Sequence, residues 1–188
     1  TPTPEQAILR DEKESMMVLN GFAQKSFSEN LFDTEEGKSI GLTYFRERGF
    51  SDATIRTFQL GYAMNAWDVF TKHAMANGYL QEFLVKTGLT VKREAEKESF
   101  YDRFKGRVIF PIHNLSGRVI GFGGRILKKD EKVAKYVNSP ESEVYHKSKV
   151  LYGMYQARKA IVQNDVCYLA EGYTDVISLH QSGIENAV

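Results

Sequence analysis

The chain has 188 residues, 42% of them apolar and 26% charged, which suits one sizeable core or two small ones and excludes a disordered segment. No apolar run approaches the ~18 residues of a membrane span. Cys167 is the single cysteine, which excludes an internal disulfide framework and a cysteine-rich zinc ribbon. The formal net charge of +1 is unevenly spread: residues 1–100 carry 12 Lys+Arg against 15 Asp+Glu, residues 101–150 carry 11 against 5, and residues 151–188 carry 2 against 4. A basic middle between two mildly acidic ends suits either a face for a polyanion or a solvated, Lys-rich loop region.

Thr1 to Pro4 is a polar lead-in without an initiator Met, and it reads as the edge of a longer chain. No charged-then-apolar leader with a cleavage site is present, and the cysteine usage fits a reducing, cytoplasmic setting. Over residues 11–31, Leu19, Phe22, Ala23 and Phe27 recur at three- and four-residue spacing and predict a helix. Thr34 is an N-cap candidate for a second helix with Ile40, Tyr44 and Phe45, which ends at Gly49. Ser51 caps a short helix with Ile55 and Phe58, stopped by Gly61. Two more helices are expected over 67–77 and 81–87, ending at Gly78 and Gly88. The charged run 92–98 reads as a surface linker.

The period then changes. Residues 107–113, RVIFPIH, and 118–126 read as a hairpin around the turn at 114–117, with Pro111 marking an edge strand or a bulge. Residues 128–132 read as a polar turn and 137–141 as a loop, and 151–162 as a helix. Residues 165–170, 174–181 and 184–188 read as strand, helix and strand, a βαβ unit with parallel strands.

Three constellations bear on chemistry. Glu171-Gly172-Tyr173-Thr174-Asp175 falls between a strand and a helix, where ligands of open α/β sheets bind. Carboxylates there hold Mg²⁺ or act as acid or base; alternatively Asp175 only complements the helix terminus and Glu171 is an exposed loop residue. Gly121-Phe122-Gly123-Gly124-Arg125 lacks the helix that a dinucleotide-binding loop requires, so its glycines are expected to admit another backbone or a nucleic-acid strand. Arg103, Lys105 and Arg107 alternate and share one face if that segment is extended. Arg125, Lys135, Tyr136, Asn138 and Lys147 follow, a set suited to phosphates and stacked bases, although each alone is equally a solvated surface residue. His73, His113, His146 and His180 have no metal-ligand spacing.

The runs YDRFKGRVIFPIHNLSGRVIGFGGRIL, KYVNSPES, YHKSKVLYGMYQARKAI and YLAEGYTDVISLHQSGI, with EGKSIGLTYFRERGFSDATIRTFQLGYA upstream, closely resemble the catalytic core of bacterial DnaG-type DNA primases. The resemblance covers residues 20–188. It implies an α+β chain, with residues 1–162 as the N-terminal subdomain of the core and 163–188 as the first βαβ of a TOPRIM subdomain. It implies template-directed synthesis of short RNA primers on single-stranded DNA from ribonucleoside triphosphates, in the cytoplasm and away from membranes. Glu171 matches the family's TOPRIM glutamate, as catalytic base or metal ligand, and Asp175 the acidic residue four places on, with Mg²⁺ or Mn²⁺ as the metal. Arg48, Arg103, Lys105, Arg107, Arg125, Lys135, Tyr136, Asn138 and Lys147 match the groove that holds template and nucleotide. Thr174 stands where the family commonly has methionine.

The family's zinc module lies upstream of the core and its helicase-binding domain downstream, and neither is in this chain. Further acidic ligands on later strands follow Val188, so the chain by itself is expected to be inactive. Another TOPRIM enzyme, a topoisomerase or nuclease, would share the glutamate but not GFGGR and KYVNSP. A non-catalytic single-strand-binding module would need the basic residues alone.

Overall fold

The computed structural model describes residues 4–94, 99–128 and 133–188. Helix α1, Pro4–Asp33, spans 30 residues, about 45 Å at the α-helical rise. Of the predicted stripe, Leu19, Ala23 and Phe27 are buried and Phe22 is half-buried, and Met16 and Leu31 extend it in both directions. The second helix begins as a π-helical segment, Gly37–Leu42, and continues as α2, Thr43–Glu47. The Thr34 hydroxyl accepts the Gly37 N–H at 2.9 Å, and Ser51 accepts the Thr54 N–H at 3.1 Å ahead of α3, Asp52–Thr57, so both predicted caps form.

Strand β1, Gly61–Ala63, starts at the glycine that the sequence suggests only as a helix stop. Helices α4, Val69–Ala76, and α5, Gln81–Lys86, follow. The helix expected from residue 67 begins later because Asp102 caps it: its carboxylate accepts the N–H groups of Phe70 and Thr71 at 2.8 and 2.9 Å, and the Thr71 hydroxyl at 2.6 Å. The expected linker is partly strand. β2, Thr90–Arg93, pairs with β3, Ser99–Asp102, while residues 95–98 lie outside the described residues.

Strands β4, Arg107–His113, and β5, Val119–Ile126, form the predicted hairpin, and β6, Tyr136–Asn138, adds to it where a loop is expected. The polar turn at 128–132 lies outside the described residues beyond Lys128. The antiparallel order is β1-β4-β5-β6. β4 is therefore internal, yet β1 pairs only with its residues 107–109. Pro111 faces Phe122, whose N–H and carbonyl both turn to Ser139 at 2.9 and 2.8 Å. The Pro111 nitrogen thus points away from β5, past the end of β1, and no ladder bond is lost. A register shift follows between Ile112 and His113.

The alternation of β4 builds two cores. Ile109 joins Leu19, Phe27, Phe70, Leu84 and Phe122 on the α1–α4–α5 side. Val108 and Phe110 join Leu42, Phe45, Ile55 and Phe58 on the other. That second core is completed by Val176 and Ile177 of α7, Tyr173–Gln181, which follows α6, Met154–Asn164. The expected strands at 165–170 and 184–188 run parallel but shrink to one bridge, Tyr168 with Ala187, and three backbone bonds of 2.8–2.9 Å.

Candidate nucleic-acid interface and acidic cleft

Glu171 is exposed in the loop that enters α7, and Asp175 lies in the first turn of that helix. The Asp175 carboxylate folds back over Gly172: a Cβ there would stand 2.9 Å from Oδ2. Glycine is therefore what lets the carboxylate reach this position. Both acids line a cleft of about 550 Å³ with Tyr136, Asn138, Lys147 and Tyr152. Two hard oxygen donors on one cleft suit Mg²⁺ or Mn²⁺ as part of a ligand set. Among the described residues no third His, Cys, Asp or Glu joins them.

Tyr173 ties the acidic end to the sheet. Its hydroxyl donates to Asn138 Oδ1 at 2.7 Å. Its ring stacks on Phe110 at 5.1 Å and meets Tyr152 edge-on at 4.6 Å. Burial first, then Tyr145 and Tyr136, push the phenol well above the ordinary tyrosine range, so it stays a neutral donor. The ring fits only because residue 123 is glycine: a Cβ there would lie 2.5 Å from Tyr173 Cε2. The glycines of GFGGR thus admit side chains, Tyr145 at Gly121, Tyr173 at Gly123 and Phe104 with Arg107 at Gly124, rather than another backbone.

Arg125 is on the same face of β5 as Gly123 and pairs across to Tyr136. Its guanidinium lies 4.8 Å from the centroid of the Tyr44 ring, and that of Arg48 lies 5.0 Å from the same ring. One tyrosine therefore gathers two cations from segments far apart in sequence. Neither is in an ion pair among the described residues, and the buried Arg125 Nε has no hydrogen-bond partner there. Such a pair is set for an anion. The side chain of Gln181 fixes the turn after Arg48: it donates to the Gly49 carbonyl at 2.7 Å and accepts the Ser51 N–H at 2.8 Å.

Other basic residues are placed differently. Residues 103–106 form a turn, so Arg103, Lys105 and Arg107 do not share an extended face. Arg107 is buried on the opposite side of the sheet from Arg125, donating to the carbonyls of Ala134 and Lys135 at 3.0 and 3.1 Å. Burial lowers its pKa and that of Arg103, whose Nε donates to the Gly88 carbonyl at 2.6 Å. Both act here as struts for backbone. Lys105 covers the Trp67 ring, and Lys135 is exposed beside Tyr136, outside the cleft. Sequence reasoning misses Tyr44 and Tyr173: each sits inside a quoted motif, but its spacing does not distinguish it from a core aromatic.

An α+β fold with unpaired guanidiniums on a surface that runs to two carboxylates has the make-up of a phosphate-handling core. Comparison with known proteins makes this specific. Residues 26–158 match the family model "DNA primase catalytic core, N-terminal domain", and the chain belongs to that family. It is 44% identical over 179 residues to the DNA primase of Halalkalibacterium halodurans, covering 95% of this chain and 29% of that protein. It is 41% identical to that of Deinococcus radiodurans over 90% of this chain and 28% of the relative. The chain thus spans less than a third of these relatives.

Among solved structures, the RNA polymerase domain of Mycobacterium tuberculosis primase DnaG superposes with a TM-score of 0.85 at 35% identity, over 93% of this chain and 55% of that one. A DnaG primase catalytic domain bound to ssDNA gives 0.85 at 34%, over 95% and 54%.

Proposed function

We propose that the chain is the template- and nucleotide-binding front of a primase core, which makes short RNA primers on single-stranded DNA by metal-dependent nucleotidyl transfer. The observation that carries this reading is the cleft that joins Glu171 and Asp175 to Tyr136, Asn138 and Lys147, with Arg125 paired across the strands to Tyr136 and Arg48 at the same Tyr44 ring as Arg125. A bound Mg²⁺ or Mn²⁺ supplies positive charge against the triphosphate. Glu171 and Asp175 would hold it, Lys147 would meet nucleotide phosphate, and Arg48 with Arg125 would clamp the template backbone. Arg103, Lys105, Lys135 and Arg107 contribute field, and the last supports the strand that carries Tyr136 and Asn138.

Residues 1–162 would form the N-terminal subdomain and 163–188 the start of a TOPRIM unit. Supporting this division, the family match ends at residue 158 and pairing changes from antiparallel to parallel at Tyr168. No helix among the described residues is long and apolar enough to cross a membrane, which accords with cytoplasmic work on DNA.

The decisive experiment measures template-dependent RNA synthesis by a protein of the relatives' length that carries this segment. Glu171→Gln should abolish it while single-strand binding persists. Full activity of that variant would reject the acidic site.

A further inference from the structure

On the α1–α4–α5 side of the sheet lies a cavity of about 310 Å³, walled by Phe27, Phe70 and Phe104, with Glu29, Asn30 and Asp102 in its polar lining. It is separate from the basic surface. Phe104 packs on Gly124, whose neighbours Gly123 and Arg125 face the other way along β5. Among the described residues that line it none is Lys or Arg, and two are carboxylates. A triphosphate or a DNA backbone is the wrong charge for such a place.

The two carboxylates are held differently. Asp102 is 5% exposed and in no ion pair among the described residues. It accepts three hydrogen bonds at the start of α4, whereas an ionised carboxylate has room for about four. The end of the helix thus supports a buried negative charge that no cation offsets. Glu29 is exposed, and its ion pair, 3.8 Å long, is with Lys25 one turn back on α1. Asn30 spends an Nδ2–H on the Tyr62 carbonyl at 3.2 Å, which leaves Oδ1 as an acceptor.

The walls add a second preference. The rings of Phe27 and Phe70 stand 5.1 Å apart, tilted by 42°. Apolar aromatic walls favour a flat apolar body, and ring faces attract positive charge. The volume is at the lower end of the range for small-molecule sites, about 300–1,000 Å³, which suits one or two fused rings.

We propose that this cavity binds a small aromatic cation, an amidine, guanidine or amine carried on one or two rings. The ring lies among Phe27, Phe70 and Phe104, and the cationic N–H groups meet Glu29, Asp102 and Asn30 Oδ1. The site stands apart from the DNA-binding reading and does not depend on it. Its walls include the cap of α4 and the turn that leads into β4, so an occupant ties α1 to both.

Benzamidine and benzamide share a ring and an outline and differ in charge, so together they test the assignment. Each is titrated into the isotope-labelled 188-residue chain, and backbone amide shifts are read by NMR. Benzamidine should give saturable shifts centred on Asn30, Met64, Val69 and Phe70, with a Kd of about 1 mM or tighter. Benzamide should bind about fivefold more weakly. Glu29→Gln changes an exposed side chain and leaves the core alone; it should weaken benzamidine about threefold and leave benzamide unchanged. Equal affinity for the two probes would overturn the proposal, as would unchanged benzamidine binding in Glu29→Gln. Shifts centred on Glu171 and Asp175 would move the cation to the other acidic cleft and overturn it too, and so would shifts that never saturate.

Discussion

Tyr173 and Asn138 are joined by a 2.7 Å hydrogen bond, and this bond couples the helix of Asp175 to the outer strand of the sheet. Tyr173→Phe keeps the ring contacts and leaves Asn138 Oδ1 without that donor, so unfolding free energy should fall by about 1 kcal/mol in urea titration. Gly123→Ala should cost more, about 1–3 kcal/mol, because the methyl group displaces the whole ring. Equal stability of Gly123→Ala and the parent chain would show that Tyr173 is not wedged there.

Tyr44 gathers Arg48 and Arg125, so its loss should act on DNA binding through both. Tyr44→Leu should weaken binding of a dT oligomer by more than either single Arg→Ala change, with a smaller drop in salt slope. Each arginine replacement should lower that slope by about 0.7. Filter binding across a salt series checks this. An unchanged affinity in Tyr44→Leu would show that the two guanidiniums hold their places without the ring.

His113 gives the chain an acid limit. Burial lowers its pKa to about 4. Its Nε2–H donates to Gln59 Oε1 at 2.6 Å, and Nδ1 faces Gln156 Nε2 at 3.4 Å, which holds the ring neutral. The unfolded chain takes up a proton near pH 6.5 that the folded chain refuses until about pH 4. Stability from this group is therefore complete above pH 6.5 and is lost as pH falls through that window, by about 3 kcal/mol in total. Urea unfolding at pH 7 and pH 4.5 should show this decline, and His113→Gln should flatten it. A parallel decline in both proteins would assign the acid limit to other groups.

Asp102 accepts three hydrogen bonds at the start of α4 although burial raises its pKa. Asp102→Asn turns an amide donor toward one of those donors. It should cost about 2 kcal/mol and speed amide exchange at Phe70 and Thr71. Unchanged exchange at both amides would show that the cap is dispensable.

The elements that could be read from sequence carry their own signals: the Thr34 and Ser51 caps, the stripe of α1, and the hairpin around residues 114–117. Strands β1, β2, β3 and β6 have three or four residues each and exist because a neighbour supplies the ladder, as Val108 does for Tyr62. Tyr136, Asn138, Lys147, Glu171 and Asp175 stand in three separate runs that carry the family resemblance, and the structure brings them to one cleft. The role of Arg107 was not legible. Its alternation with Arg103 and Lys105 suggested a shared face, whereas the intervening turn sends Arg107 under the sheet to hold carbonyls about 27 residues later in the chain.

The two cores also differ in when they can close. Every buried member of the α1–α4–α5 cluster lies between Leu19 and Phe122, whereas the other cluster waits for Val176 and Ile177. At ordinary translation rates the roughly 55 intervening residues take about 3–11 s to emerge. During that interval the hydrophobic side of β4 around Val108 and Phe110 lacks its last cover. A nascent chain paused there would present this apolar patch to chaperones, and only the arrival of Gln181 would clasp the Gly49 turn and bring the acidic end to the cationic one.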